Sequence, residues 1–255
     1  SNYNQKDISR CFMKIIGVIP ARWSSSRFPG KPLKEIVGKA MIHRVWDQVK
    51  KCEKITEVLI ATDDHRIAEY CRSNSLDVIM TSPEHSTGSD RIAEVAEKIA
   101  GDIFVNIQGD EPLIEPDTID NVTDCLKSSL DRGIEVSTGY ITPATQDQCE
   151  NSSVVHLLPG LDGCVIAFSR YPLPYQFADT VSRNIHVGLY AFTRSALNLF
   201  STLERGPIER AESIEIMRLL EHGHRVACVQ VRAGSVGVDT PDDLLFVEAI
   251  LENRK

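Results

Sequence analysis

The sequence predicts an α/β protein in which a mixed central sheet is flanked by helices, and three observations carry that expectation. Short apolar runs alternate with amphipathic segments through the first half of the chain, the pattern of a sheet with helices on its faces. Ile42, Val45, Trp46 and Val49 repeat at the i, i+3, i+4, i+7 spacing of one buried helix face. Beyond residue 130 the alternation loosens into successive strand-like runs, so the sheet is expected to become mixed there.

Taken in order, apolar runs predict strands at 14–19, 57–61, 77–80 and 102–108, with helices near 40–52, 64–73, 89–100 and 116–128 between or after them. The second half predicts strands at 134–141, 153–158, 164–169, 185–192 and 225–231, and helices at about 195–203 and 211–222. A last helix begins after Asp239-Thr240-Pro241-Asp242-Asp243, where Thr240 suits the N-cap, Pro241 the first turn and Asp243 the reciprocal capping position. The expected organisation is a flexible tail at 1–13 followed by one domain over 14–255, with no internal repeat or clear linker.

The 255 residues, 42% hydrophobic and 25% charged, can bury a large core. A formal net charge of −8 argues against a general nucleic-acid binder, because such partners are held by a broad basic surface. No apolar stretch approaches the roughly 20 residues that span a bilayer, and residues 1–13 lack a signal-peptide core. The seven cysteines are scattered, odd in number and form no CxxC pair, so reduced thiols are expected. These readings point to a cytoplasmic protein without membrane insertion.

Against that acidic background the loop after the first strand stands out. Pro20-Ala21-Arg22-Trp23-Ser24-Ser25-Ser26-Arg27-Phe28-Pro29-Gly30-Lys31-Pro32-Leu33 places two arginines, a lysine, three serines and a glycine at a strand end. Arg22, Arg27 and Lys31 can neutralise phosphate oxygens, serines such as Ser25 can donate hydrogen bonds, and Gly30 permits close backbone approach. Neither a Walker loop nor Gly-x-Gly-x-x-Gly is present. A triphosphate is the ligand such a loop suits.

Further segments carry candidate chemistry. In Gln108-Gly109-Asp110-Glu111-Pro112 a carboxylate follows a strand, where open α/β sheets gather their ligands, and a hard carboxylate there suits Mg²⁺. Taken alone Asp239 reads as part of a helix cap; if folding brings it near Asp110, it becomes the second aspartate of a magnesium site. Thr87-Gly88-Ser89-Asp90-Arg91 opens a helix, and the sequence leaves capping and nucleotide contact through Ser89 and Arg91 as alternatives. Arg170, His186, Tyr190, Glu212 and Ser213 are groups able to grip a polyhydroxy acid, although each alone also suits an ordinary half-buried or surface position.

Together these segments resemble the sugar nucleotidyltransferases, and within them the 3-deoxy-manno-octulosonate (Kdo) cytidylyltransferases. Residues 20–33 are similar to that family's Pro-Ala-Arg-Tyr/Phe-x-Ser-x-Arg-Leu-Pro-Gly-Lys-Pro-Leu, with Trp23 and Phe28 as mild changes. Ala61-Thr62-Asp63-Asp64, Met80-Thr81-Ser82, Gly88-Ser89-Asp90-Arg91, Gln108 to Pro112, His186-Val187-Gly188-Leu189-Tyr190, Ala211-Glu212-Ser213 and Gly237-Val238-Asp239-Thr240-Pro241 follow in order. The resemblance, over about residues 14–250, implies a Rossmann-like nucleotide-diphospho-sugar transferase fold, a homodimer, CTP as donor and Mg²⁺ as cofactor. It also implies sugar-binding and dimerisation elements in about 135–235, and a setting in lipopolysaccharide or capsule precursor synthesis.

By the same resemblance Arg22, Ser25, Arg27 and Lys31 hold the triphosphate, Gln108 helps hold the cytidine, and Asp110 and Asp239 bind Mg²⁺. Arg22, Lys31, Asp110 and Asp239 are then the catalytic set, and Arg170, His186, Tyr190, Glu212 and Ser213 line the sugar-acid pocket. Two departures fall on the acceptor side: Val155 stands where the family has lysine, and Tyr171 where it has a small residue. They keep open a cytidylyltransferase for a related acid sugar, such as an amino-Kdo or a nonulosonic acid. A non-catalytic nucleotide-binding homologue is the remaining alternative.

Overall fold

A computed structural model describes residues 13–24, 28–143, 154–232 and 235–253. The expected tail, apart from Met13, lies outside the described residues, as does Ser153 at the start of the strand predicted at 153–158.

The first half runs β1 (Ile15–Ala21), a 3-10 turn (Lys31–Leu33), the short strands β2 (Glu35–Ile36) and β3 (Lys39–Ala40), α1 (Met41–Val49), β4 (Glu57–Thr62), α2 (His65–Ser73), β5 (Val78–Met80), α3 (Gly88–Lys98), β6 (Ile103–Asn106) and α4 (Pro116–Ser129). After a second 3-10 turn (Leu130–Arg132) come β7 (Val136–Ile141), β8 (His156–Pro159), β9 (Val165–Ser169) and β10 (Asn184–Thr193). The chain closes with α5 (Arg194–Thr202), α6 (Pro207–Glu212), α7 (Met217–Glu221), β11 (Ala227–Gln230) and α8 (Pro241–Glu252).

The main sheet is ordered β11-β7-β10-β6-β1-β4-β5, with the β8–β9 hairpin attached to β10. β6, β1, β4 and β5 are parallel, whereas β10 is antiparallel to both β6 and β7. The sheet is therefore mixed, and the change of direction falls in the second half, where the sequence pattern loosens.

β1 is a continuous apolar run because both of its faces are covered. Ile15 and Ile19 pack with Ile42, Val45 and Val49 of α1 and Val122 of α4, while Ile16 and Val18 pack with Ile92 and Val95 of α3 and Leu197 and Phe200 of α5. That two-residue alternation fixes the strand's register between two helical layers. The carboxyl ends of β1, β4 and β6 consequently open at one edge of the sheet, beside the amino end of β10.

Two expectations are corrected. The single helix expected at 211–222 is two shorter ones, because Ser213 adopts a left-handed conformation (φ 54°) and caps α6, its N–H bonding to the Glu209 carbonyl at 2.9 Å. The hairpin of β2 and β3 is absent from the sequence reading; it turns through Val37 and Gly38, both at positive φ, and Arg44 steadies it by donating to the carbonyls of Ile36 and Val37.

Candidate active site

β1 delivers Arg22 to the sheet edge, and the chain then loops back on itself: the Gly30 N–H donates to the Trp23 carbonyl at 3.1 Å. Gly30 sits at φ +69°, and a Cβ there would meet the Trp23 indole at 3.0 Å, so a side chain is disfavoured on both counts. This closure sets Arg22 and Lys31 on the wall of one cleft of about 410 Å³, together with Gly88, Gln108, Asp110 and Asp239. Ser25 and Arg27 of the same loop lie outside the described residues.

Gly109 lets the loop after β6 reach that cleft. A Cβ at this position would lie 2.8 Å from the Pro20 carbonyl, so only glycine allows the two strand-end loops to touch. The Asp110 carbonyl in turn accepts the Val238 N–H at 2.8 Å, which brings the loop before α8 to the same place. Lys31 Nζ then bridges both acids, 2.9 Å from Asp110 Oδ2 and 3.2 Å from Asp239 Oδ1.

The geometry separates the two readings of Asp239. The reciprocal cap of α8 is made by Thr240 and Asp243, and Asp243 Oδ2 also takes the Asp239 N–H at 3.0 Å. The Asp239 carboxylate is thus turned to Lys31 rather than used on the helix end. A pair of hard carboxylates, about a single ammonium and beside an open cleft, is a donor set that fits Mg²⁺ completed by phosphate oxygens and water. Among the described residues no cluster of three or more His, Cys, Asp or Glu side chains suited to a metal is present.

Ser89 and Arg91 are not brought into the cleft. Arg91 is fully buried, with its guanidinium on Asp63 (3.0 Å) and the Thr81 hydroxyl. Burial lowers the Arg91 pKa, against the raising effect of Asp63. The Ser89 hydroxyl accepts from Asn106 Nδ2 at 3.2 Å, and the Ser89 N–H donates to Glu215 Oε2 at 3.1 Å. The expected nucleotide contacts of these two side chains are corrected to supporting ones beneath the cleft, where Gly88 alone of that loop forms part of the wall.

The acceptor-side residues assemble as two adjoining groups. Where β9 ends, Glu212 takes the Ser169 hydroxyl at 2.6 Å and the Arg170 N–H at 2.8 Å, while Arg170 Nε donates to the Glu212 carbonyl and Nη2 to that of Ser213. On β10 the His186 ring lies between Phe168 and Tyr190, centroids 4.9 and 5.4 Å away, with Nε2 3.0 Å from the Thr138 hydroxyl. Burial pushes the His186 pKa down to about 3. Burial also raises the Tyr190 phenol well above its ordinary value, helped by the charges of Glu215 and Glu111. Gln108 ties the nucleotide-side cleft to this strand by donating to the Gly188 carbonyl at 3.1 Å.

Several participants are absent from the sequence reading. The His85 carbonyl accepts from Arg22 Nη2, and Glu94 holds the His85 loop through the His85 ring and the Ser82 N–H. Glu111 is buried beside Asp110, and burial, then the Asp110 charge, pushes its carboxyl up to about 8. Asp63, the Arg91 partner, had one available signal: it directly follows an apolar strand. His85 and Glu94 are partly exposed, and the contact of the His85 carbonyl with Arg22, 63 residues away, has no local pattern. A larger cavity of about 580 Å³ behind α3 is lined by groups such as Glu94, Lys98 and Arg218, whose charges already pair with one another or with Asp90 and Glu209.

Comparison with known proteins places the whole chain in one family. The family model described as cytidylyltransferase matches residues 16–226. A 3-deoxy-manno-octulosonate cytidylyltransferase of Geobacter metallireducens is 42% identical over 245 residues, covering 91% of this chain and 95% of its own. The mitochondrial 3-deoxy-manno-octulosonate cytidylyltransferase of Arabidopsis thaliana is 38% identical over 247 residues, covering 94% and 84%. The solved structure of CMP:2-keto-3-deoxy-manno-octonic acid synthetase complexed with CTP aligns at TM-score 0.89 and 36% identity, covering 95% of this chain and 100% of that one.

Proposed function

This chain belongs to the cytidylyltransferase family, and from that premise we propose that it transfers the cytidylyl group of CTP to Kdo, giving CMP-Kdo and pyrophosphate. The observation that carries the reading is the Lys31 bridge between Asp110 and Asp239, which joins the loop after β1 to the two acids across one cleft. The anomeric hydroxyl attacks the α-phosphorus of CTP; an oxygen–phosphorus bond forms, the hydroxyl proton passes to solvent, the α–β phosphoanhydride breaks, and pyrophosphate leaves.

Catalysis of this kind is positioning and charge neutralisation, and no covalent nucleophile is required. Arg22 and Lys31 bind the β- and γ-phosphates and stabilise the departing pyrophosphate. Gln108 and the backbone at Gly88 face the nucleoside. Asp110 and Asp239 would hold Mg²⁺, which when bound supplies positive charge to the phosphates and acidifies the attacking hydroxyl. Arg170, His186, Tyr190, Glu212 and Ser213 orient the sugar acid. Tyr171 is exposed and Val155 packs against a core cluster, so neither change inserts charge or bulk into the buried Phe168–His186–Tyr190 stack.

A homodimer fits the exposed apolar side chains on and after the β8–β9 hairpin, namely Leu161, Ile166, Tyr175 and Phe177, which a second copy would cover. Among the described residues no helix is long and apolar enough to cross a membrane. A bacterial cytoplasm and lipopolysaccharide precursor synthesis are the setting we assign to a Kdo-activating enzyme.

The test is pyrophosphate release with CTP, Mg²⁺ and a panel of Kdo, amino-Kdo and nonulosonic acids. Release with Kdo at the highest kcat/KM supports the proposal. Preference for another acid replaces the acceptor, and silence with every acid despite CTP binding overturns the enzymatic reading.

A further inference from the structure

We propose that Trp23 is a positioning residue for the nucleotide, acting through its contacts with Arg66 and Gly30; the inference rests on the reading of the cleft as the CTP site. Arg22 directly follows β1 and Lys31 begins the 3-10 turn, and both face the cleft. Their spacing is set where the loop closes, by the hydrogen bond from Gly30 N–H to the Trp23 carbonyl. The indole also lies against Gly30, where a Cβ would come within 3.0 Å of the ring.

The opposite support comes from α2. The Arg66 guanidinium stands 3.5 Å from the centroid of a Trp23 ring, a close cation–π contact. Arg66 is itself held in place by Asp64, the N-cap of α2. The Asp64 carboxylate receives the Arg66 backbone N–H at 2.9 Å, Nε at 3.0 Å and Nη2 at 2.7 Å. α2 follows β4, the strand paired directly with β1, so the brace connects the loop to the same rigid sheet from which the loop emerges. A ring held in this way keeps the two phosphate-binding cations at a fixed separation before the nucleotide arrives, which removes ordering cost from binding.

The experiment measures CTP binding by calorimetry and KM for CTP and sugar acid in the full chain carrying Trp23→Ala, Trp23→Phe, Arg66→Ala, the double Trp23→Ala/Arg66→Ala and, as control, Lys31→Ala. Trp23→Ala should weaken CTP binding about tenfold, leaving KM for the sugar acid within about twofold, because displacement of positioned groups acts on their own ligand. Arg66→Ala, an exposed site that does not endanger folding, should weaken CTP binding by about two- to fivefold, the worth of a cation–π contact. The double variant should be no worse than Trp23→Ala alone, and Trp23→Phe should restore most of the affinity.

Unchanged CTP binding in Trp23→Ala while Lys31→Ala weakens it overturns the positioning role and leaves the cleft assignment standing. Fully additive losses in the double variant overturn the Trp23–Arg66 link. If Lys31→Ala itself leaves CTP binding unchanged, the cleft assignment falls and the positioning role falls with it.

Discussion

Lys31 and Asp110 lie 79 residues apart in sequence, and in the folded chain the lysine ammonium donates to the Asp110 carboxylate at 2.9 Å while reaching Asp239 on its other side. One cation therefore neutralises two acids that would otherwise repel each other across the cleft. The same ammonium is the group best placed to move onto an incoming phosphate, so its removal should tell on the nucleotide. Charge-assisted hydrogen bonds of this kind contribute about 1.5–3 kcal/mol. Lys31→Ala is expected to weaken CTP binding by tenfold to hundredfold and sugar-acid binding by less than threefold. Calorimetry with each ligand checks this, and equal losses for both would contradict it.

Asp110→Asn removes a charge from a partly exposed position and keeps the size of the side chain. Turnover, followed as pyrophosphate release, should fall by at least a thousandfold, with the melting temperature within about 3 °C of the wild type, in the range of a mild surface substitution. Thermal stabilisation by added Mg²⁺ with CTP should also disappear. Retained activity would remove Asp110 from the metal set.

His186 gives the fold a pH dependence of definite sign. Its pKa is lowered to about 3 by burial, against an ordinary value of 6.5, so between these pH values the unfolded chain binds the extra proton and the folded one does not. Stability is therefore lost as pH falls from about 6.5 toward 3. The full slope of one such group is about 1.4 kcal/mol per pH unit, and a smaller one is expected here because His186 is half-buried. Urea unfolding at pH 5.0, 6.0 and 7.5 should show this slope in the wild type and a shallower one in His186→Asn. Identical slopes would contradict the assignment.

Arg218 of α7 joins Glu209 of α6, at 2.8 Å, to Asp90 near the start of α3, at 2.9 Å, and both Arg218 and Glu209 are almost wholly buried. Arg218→Met leaves the buried Glu209 with only the partly exposed Arg205, at 3.1 Å, as a cationic partner, so the loss is expected at about 2–3 kcal/mol, below that of a fully orphaned buried charge. Urea midpoints should fall accordingly, and Arg218→Lys should recover only part of the loss, since a point charge cannot span both acids. A shift below about 1 kcal/mol would show that α6 and α7 are held by other contacts, such as the Glu221 carboxylate on the Ile208 and Glu209 N–H groups.

The elements most legible in the sequence are those whose burial is periodic. β1 and α1 announce themselves because one is covered on both faces and the other on a single stripe, and each pattern has its own spacing. The cap of α8 is equally local, since Thr240 and Asp243 are only three residues apart. The break between α6 and α7 is not local: Ser213 turns left-handed where Glu212 leaves the helix to bind Ser169 and Arg170, and those partners come from β9.

The site divides along the same line. The sequence by itself determined which groups were available: a cationic loop at a strand end, an aspartate after a glycine, and the ordered motifs shared with the cytidylyltransferases. Only the tertiary structure decided their use, because hydrogen-bond partners and burial are set by neighbours distant in the chain. It turned Asp239 toward Lys31 while Thr240 and Asp243 closed the helix, and it sank Arg91 beneath the cleft against Asp63 and Thr81. A charge is written in the sequence, whereas the group it meets depends on which strand ends the sheet places side by side.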